Sequence, residues 1–424
     1  MASFFSFALV FGLTNVLYFM PEEMVNLVGL RPVATIWMNK LLLLVVLGAC
    51  AMWIGYYSVL GRKLGLALSR SHLIGRWMST STRLNQWVLI TFFLLSLVSR
   101  LTEIQLGIYG YGSDYNQLFA RADYREYLAL TSSLGKFALL GASMQCFSNP
   151  RSTLPDIMWL LFILTYEVVF GFISGFKGAV ILPFLSVAVV YYCQRQKFPR
   201  WMIPSVIFAI FTSYLIIEPF RVARNESAGF SSTSLRSIVS TITNVGLGEK
   251  KESVAGTPIS LQFLARTNLT YVASVGIEYE AEKQLSEDAP KFLENILLSP
   301  ATAFIPRVLW SSKSMQTTGT WYNREVLGYE HLNAVGMSAF TYLNFAGGPI
   351  AVIIGFLVIG LIHRALFDGL RHFGSGGMMM LLGLIPTVVD IESAYYTVFI
   401  SLFRFIPIFL FLQYFLLRHS HKGH

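Results

Sequence analysis

The chain is poor in charged residues, and this shortage argues against an ordinary soluble protein. Asp, Glu, Lys and Arg make up 13% of its 424 residues, whereas soluble domains carry about 25%. Cysteine is also scarce. Cys50, Cys146 and Cys193 lie in or beside apolar runs without a metal-binding spacing, which argues against a disulfide framework.

Motifs that would bind a nucleotide or a metal are missing as well. The sequence contains no P-loop, no Rossmann glycine pattern, no zinc-protease motif, no G-x-S-x-G elbow and no Asp-x-Asp cluster. We therefore predict no cofactor and no metal site. The formal charge of +9 could indicate nucleic-acid binding, but no nucleic-acid fold or basic-aromatic surface accompanies it, and we predict no nucleic-acid partner.

Apolar residues are abundant, at 54% of the chain, and they fall into long runs. A helix needs about 20 apolar residues to cross a bilayer. We predict an all-α, polytopic integral membrane protein with about ten transmembrane helices, over approximately 3–20, 34–58, 86–107, 127–147, 156–174, 178–193, 201–219, 336–363, 377–393 and 395–417. The first run lacks a basic n-region and a cleavage site, so we interpret it as a retained span.

The distribution of basic residues predicts the orientation, because cytoplasmic loops carry an excess of Lys and Arg. With ten spans, the basic connections all fall on one side: 59–85, 148–155, 194–200, 364–376 and the tail. We therefore predict that this side is the cytoplasm and that both termini lie there. Residues 1–219 would hold seven spans, 220–335 a large outward loop, and 336–424 three spans and the tail. Apolar residues at helical spacing predict helices in that loop.

Charged residues inside the predicted spans are candidates for function, because charge is costly in a bilayer. These residues are Arg100, Glu103, Lys136, Glu167 and Arg404. Ion pairing would join Arg100 to Glu103 and Lys136 to Glu167. For Arg100 and Arg404 we favour instead a water-filled cavity that opens to the outside.

Further cations lie on the predicted outer face. Lys177 stands in the turn Ser-Gly-Phe-Lys-Gly, where glycine could free backbone N–H groups for an anion or could serve the turn alone. Arg221 and Arg224 are three residues apart and follow the seventh span. Arginine binds phosphate through two hydrogen bonds, although an interfacial anchor is the alternative. With Arg307, these residues suit a lipid substrate that carries a pyrophosphate.

Aromatic residues follow the last of these arginines. Trp310, Trp321 and Tyr322 could stack on sugar rings or could form an interfacial aromatic belt.

Several segments resemble bacterial polysaccharide polymerases of the Wzy type. They are SGFKG, EPFRVARN, IPRVLWSSKSMQTTGTWYNREVLG and TYLNFAGGPIAVIIG. Members commonly have a proline-arginine-x-leucine-tryptophan segment before a late span with an asparagine, aromatic and glycine cluster. The resemblance covers roughly residues 160–350. In this chain Ser311-Ser312-Lys313 stands where many relatives have a proline-aspartate-lysine-proline run.

The resemblance implies a metal-independent membrane glycosyltransferase with a fold like the C-type enzymes. It would lie in the bacterial cytoplasmic (inner) membrane. There it would join undecaprenyl-diphosphate-linked repeat units into O-antigen or a related surface polysaccharide, with an active site that faces outside. Its partners would be the lipid-linked donor and acceptor, membrane lipid, a chain-length regulator and a flippase. The cations assigned to the diphosphate are Arg100, Lys177, Arg221, Arg224, Arg307 and Arg404.

Two questions stay open from the sequence. The acceptor hydroxyl needs a general base, for which Glu218 and His331 are both candidates. The function itself has alternatives. An O-antigen ligase would use the same donor with lipid A core as acceptor, and a lipid-linked oligosaccharide flippase would move the substrate without a transfer reaction.

Overall fold

The computed structural model describes residues 33–72, 86–110, 122–148, 153–195, 269–283, 287–305, 318–329, 334–373 and 387–418, with isolated positions between these ranges. The described residues are mostly helical and contain no strand, which confirms the all-α prediction. The helices are α1 (Thr35–Tyr57), α2 (Val59–Ser69), α3 (Gln86–Gln105), α4 (Ala122–Ser132), α5 (Leu134–Ser148), α6 (Leu154–Ser174), α7 (Lys177–Arg195), α8 (Leu269–Glu282), α9 (Phe292–Leu297), α10 (Ser299–Phe304), α11 (Thr318–Trp321), α12 (Ala339–Leu370) and α13 (Tyr395–Arg418).

Four stretches of the described chain are long and apolar enough to cross a membrane. They are α1, α3, α6 and Ala339–Phe373, which extends α12 by one 3-10 turn. They coincide with the predicted spans 34–58, 86–107, 156–174 and 336–363. The chain is therefore a membrane protein, whereas the number of ten spans stays a prediction. The predicted span 3–20 lies outside the described residues, and 201–219 and most of 377–393 are described only at isolated positions.

The predicted span 127–147 is interrupted in the structure. It forms α4 and α5, which are separated by a turn at Ser133. The hydroxyl of Thr131 donates to the Tyr127 carbonyl at 2.9 Å, and that of Ser133 donates to the Leu130 carbonyl at 2.6 Å. Side chains that bond to the backbone of the preceding turn weaken a helix. The apolar periodicity of the run did not reveal this polar interruption.

The described residues of Met1–Thr80 and Pro258–Tyr414 form one compact unit, in which glycines bring α1 and α12 together. A Cβ atom at Gly360 would overlap the Met52 carbonyl oxygen, and one at Gly55 would overlap the Leu357 carbonyl oxygen. Small residues at such positions let helix backbones approach closely in a membrane. The contact thus fixes the first described helix against the late, long one.

Helix α2 continues this packing along the end of α12. Gly61 lies against the Arg364 side chain and Gly65 against Asp368. The Asp368 carboxylate in turn lies 2.5 Å from the Arg364 Nε atom and 3.3 Å from an Arg371 nitrogen. The connection 59–85, expected to be a basic loop, therefore begins with a helix that is packed on the protein.

Helix α12 is broken near its start. Gly348 has φ +66° and ψ −161°, and Pro349 follows it. Only glycine adopts such a backbone conformation readily, and proline has no N–H group to continue the helical bonding. The segment before the break, from Ala339 to Phe345, is buried, whereas Pro349 and Ile350 are exposed. The break thus separates a buried helical segment from the long span.

The described residues of Ser81–Thr257 belong to a second unit, which contains α3 to α7. Helix α6 begins with a capping box between Thr153 and Asp156 and ends at Gly175, which has φ +68°. A left-handed glycine is a common end for a helix. The chain turns at this point into α7.

Candidate functional site

The two late segments that carry the family resemblance meet in one aromatic cluster of the first unit. The Trp321 ring centroid lies 6.0 Å from that of Phe345, and the Phe292 ring stacks on Phe345 at 5.0 Å. Tyr279 and Tyr342 complete the cluster, with centroids 6.2 Å from Trp321 and 5.1 Å from Phe292. Such pairs add to the stabilisation that burial provides. The aromatic cluster therefore fixes α8, α9 and α11 against the start of α12.

The structure places two of the three predicted sugar-stacking residues in the interior. Trp321 is 5% exposed and Tyr322 is fully buried. The Tyr322 hydroxyl donates to the Val272 carbonyl at 2.6 Å, and burial raises the pKa of this hydroxyl. Both residues contact other parts of the protein, and their role in sugar binding stays a prediction. Trp310, by contrast, is partly exposed.

A carboxylate that the sequence analysis did not single out lies beside this cluster. The Asn344 amide nitrogen donates to the carboxylate of Glu280, which stands near the end of α8. Asn344 is 1% exposed, and its Oδ1 atom has no hydrogen-bond partner among the described residues. A buried polar atom without a partner costs about 1–3 kcal/mol. This amide lies four residues before Gly348, where α12 is broken, and is part of the asparagine, aromatic and glycine segment.

The sequence contained a signal for Glu280. The positions that α8 buries include Ala273, Gly276 and Ile277, and Glu280 continues this stripe at helical spacing. An acid in register with a buried stripe is unusual and points to a specific partner. The sequence analysis followed only the apolar residues of this helix.

Arg404, which was expected in an open cavity, is partly exposed and contacts the end of a short helix. Its Nε atom donates to the Ala303 carbonyl at 3.1 Å, and Nη2 donates to the Thr302 carbonyl at 3.2 Å. These carbonyls belong to the last turn of α10, where helical partners are missing. A basic side chain at this position stabilises the helix end.

In the second unit, Arg100 forms an ion pair that was not predicted. Its Nη2 atom lies 2.8 Å from Oε1 of Glu167 and donates to Oε2 at 2.9 Å. The guanidinium also lies 4.9 Å from the Tyr166 ring and 5.3 Å from the Phe170 ring. Arg100 is 6% exposed, so it does not line a cavity that is open to the outside.

The sequence suggested two ion pairs, Arg100 with Glu103 and Lys136 with Glu167. The structure pairs Arg100 with Glu167. Gly135 faces the Glu167 carboxylate and leaves room for it. The next residue along α5, Lys136, is turned about 100° around the helix and is exposed. Glu103 is buried on α3. Arg100 reaches across to α6 rather than along its own helix.

The roles of the remaining predicted site residues stay predictions. Lys177 begins α7 directly after the turn at Gly175, and its side chain lies outside the described residues. A Cβ atom at Gly178 would meet nothing within 4 Å, so no close approach requires that glycine. Glu218, Arg221, Arg224, Arg307 and His331 also lie outside the described residues.

Among the described residues, no group of three or more His, Cys, Asp or Glu side chains could hold a metal ion. The absence of a metal site from the whole chain stays a prediction.

Comparisons with known proteins give a partial similarity. The chain is 37% identical over 75 residues to Protein CapE of Staphylococcus aureus. This stretch covers 18% of the chain and 17% of that protein. No family profile and no solved structure matches the chain.

Proposed function

We propose that this chain is a membrane glycosyltransferase that polymerises undecaprenyl-diphosphate-linked oligosaccharide repeat units into a surface polysaccharide. The observation that carries the proposal is the aromatic cluster, in which Trp321 and Phe345 bring together two segments that resemble Wzy-type polymerases. The partial similarity to Protein CapE supports the coarser part, a role in surface polysaccharide biosynthesis.

The proposed reaction is one displacement at an anomeric carbon. The hydroxyl oxygen of the acceptor sugar forms a bond to the anomeric carbon of the growing chain. The bond from that carbon to the lipid diphosphate breaks, and the diphosphate leaves with the electron pair. Fixed positive charge stabilises the leaving group without reorganisation. Arg100 and Arg404 already bind protein partners, so the proposal assigns this role to Lys177, Arg221, Arg224 and Arg307.

The test uses the purified full chain in nanodiscs. Its substrate is the lipid-linked repeat unit, isolated from a strain that lacks this chain and therefore accumulates the unit. A ladder of extended glycans is expected in excess chelator and without any nucleotide. Transfer to lipid A core alone would identify a ligase, and movement of the unit across the bilayer without transfer would identify a flippase. Activity that requires added magnesium would overturn the metal-free mechanism. It would make Asp390, Glu392 and Glu218 candidate ligands of the metal ion.

A further inference from the structure

We propose that Glu280 is the general base that accepts the proton of the acceptor sugar hydroxyl, and that Asn344 positions its carboxylate. This inference rests on the proposed polymerase function, and it replaces Glu218 and His331, the two candidates that the sequence suggested. Glu280 belongs to the segment 220–335, which is predicted to face outside, where the lipid-linked substrates would be presented. The bond between Asn344 and Glu280 carries the inference.

The carboxylate of Glu280 is not neutralised by a described cation. Within the part of the chain that the structure describes, Asn344 is the residue that bonds to it, and Glu280 is partly exposed. A negatively charged oxygen held by one neutral amide keeps lone pairs available to a substrate hydroxyl. This combination of fixed position and access is what a general base requires.

Three other acids of the same unit have partners within the protein. Asp368 pairs with Arg364 and Arg371 at the far end of α12. Asp390 accepts hydrogen bonds from the backbone of its own turn. Glu325 pairs with Arg324. These carboxylates have partners that hold their charge, which distinguishes them from Glu280.

The Asn344 amide gives the site a second polar group. Because its nitrogen donates to Glu280, its Oδ1 atom must point elsewhere, and no donor in the described part of the chain reaches that buried atom. Asn344 is 1% exposed, so this oxygen does not face an open site. The amide therefore acts on the partly exposed Glu280 carboxylate by fixing its orientation.

The aromatic cluster holds this pair in place. Tyr279 precedes Glu280 on α8 and contacts Trp321, while Phe345 follows Asn344 and stacks on Phe292. Positioning groups that sit on packed helices keep a productive geometry. Trp321, one of the residues expected to stack on sugars, thus packs on the neighbour of Glu280 in α8.

As the acceptor oxygen bonds to the anomeric carbon, its proton passes to the Glu280 carboxylate. The bond to the lipid diphosphate breaks, and the released diphosphate carries the electron pair. The protonated Glu280 then returns its proton to water before the next cycle.

The decisive variant is Glu280→Gln, since glutamine keeps an oxygen that can accept from Asn344 but cannot take up a proton. We expect chain extension in nanodiscs to fall by about 100- to 10,000-fold, the contribution of a general base. The melting temperature and the binding of lipid-linked donor should match the unsubstituted chain. Glu282→Gln, an exposed acid on the same helix, is the matched control and should extend chains at the normal rate.

Glu280→Ala with added formate gives an independent measurement, because a small carboxylate can take the place of the missing base. Formate should restore part of the extension rate in this variant and should have no effect on Glu280→Gln. A merely structural role would give no formate-dependent rate.

The outcomes separate the two proposals. Normal extension by Glu280→Gln would overturn the base assignment and leave the polymerase function intact. The base assignment would also be overturned if Glu280→Gln lost both chain extension and donor binding while formate failed to rescue Glu280→Ala. If the unsubstituted chain itself produces no ladder, the polymerase function fails, and the role of Glu280 fails with it.

Discussion

Arg100 and Glu167 form a buried ion pair between α3 and α6, with 2.8 Å between Nη2 and Oε1. Their side chains are 7% and 4% exposed. Removal of one partner leaves an uncompensated buried charge, which destabilises a protein by about 3–5 kcal/mol. We therefore expect Glu167→Leu to lower the melting temperature of the detergent-purified protein strongly.

The matching control replaces both partners. Buried pairs can be exchanged for apolar residues of similar volume at little cost. The combination Arg100→Met with Glu167→Leu should thus recover most of the lost thermal stability. Equal melting temperatures for the single and double variants would contradict the pairing.

Gly135 provides a second test of the same region. A Cβ atom there would overlap Glu167 Oε1 and would lie 2.7 Å from Ser96 Oγ. Overpacking of this kind costs about 1–3 kcal/mol, so Gly135→Ala should lower the melting temperature. Gly178→Ala is the control, since that position is open. It should be neutral or should stabilise α7 by up to about 1 kcal/mol. An equal response of the two variants would refute the contact.

The contrast between spans and ion pairs shows what the sequence could predict. The spans 34–58, 86–107 and 156–174 were readable because each is one continuous apolar run that satisfies its own backbone. The partner of Arg100 was not readable, because Glu167 is 67 residues away and the contact depends on how α3 packs on α6. The nearby Glu103 satisfied the local spacing rule, and packing overrode that rule.

The candidate site could likewise be predicted from the sequence only in part. The segment around Asn344 was recognisable as a pattern, while Glu280 was overlooked because its significance depends on a neighbour 64 residues away. Trp321 and Tyr322 were singled out as aromatics beside arginines, and the structure buries both. Residue type suggested a binding role, but exposure is a property of the packed fold.

The break in α12 gives a third prediction. Gly348 combines φ +66° with ψ −161°, a conformation that costs residues with a side chain about 1–3 kcal/mol. Nothing lies within 4 Å of a Cβ atom there, so steric overlap would not contribute. Gly348→Ala and Gly348→Asn should both lower the melting temperature, because asparagine tolerates the left-handed helical region but not this one. Normal stability of both variants would show that the break does not need glycine.

A fourth prediction concerns orientation in the membrane. Single cysteines in a background without Cys50, Cys146 and Cys193 would report which side each loop occupies. Position 250 should react with an impermeant maleimide in intact cells, or in spheroplasts where an outer membrane blocks access. Position 71, in the basic connection after α2, should react only after the membrane is opened. Labelling of 71 together with protection of 250 would reverse the topology.

The last prediction separates phosphate binding from membrane anchoring at Arg221 and Arg224. An anchor needs only a positive charge that can reach the headgroups, which lysine supplies as well as arginine. A diphosphate held through paired N–H groups needs the planar guanidinium, because lysine offers a single ammonium. We expect Arg221→Lys and Arg224→Lys each to reduce chain extension by at least about tenfold, which corresponds to about 1.4 kcal/mol. Protein level and melting temperature should stay normal. Lys63→Arg, in the basic connection predicted to be cytoplasmic, is a control for the exchange itself and should leave extension unchanged. Full glycan ladders from both lysine variants would favour the anchor and would place the stabilisation of the diphosphate on Lys177 and Arg307.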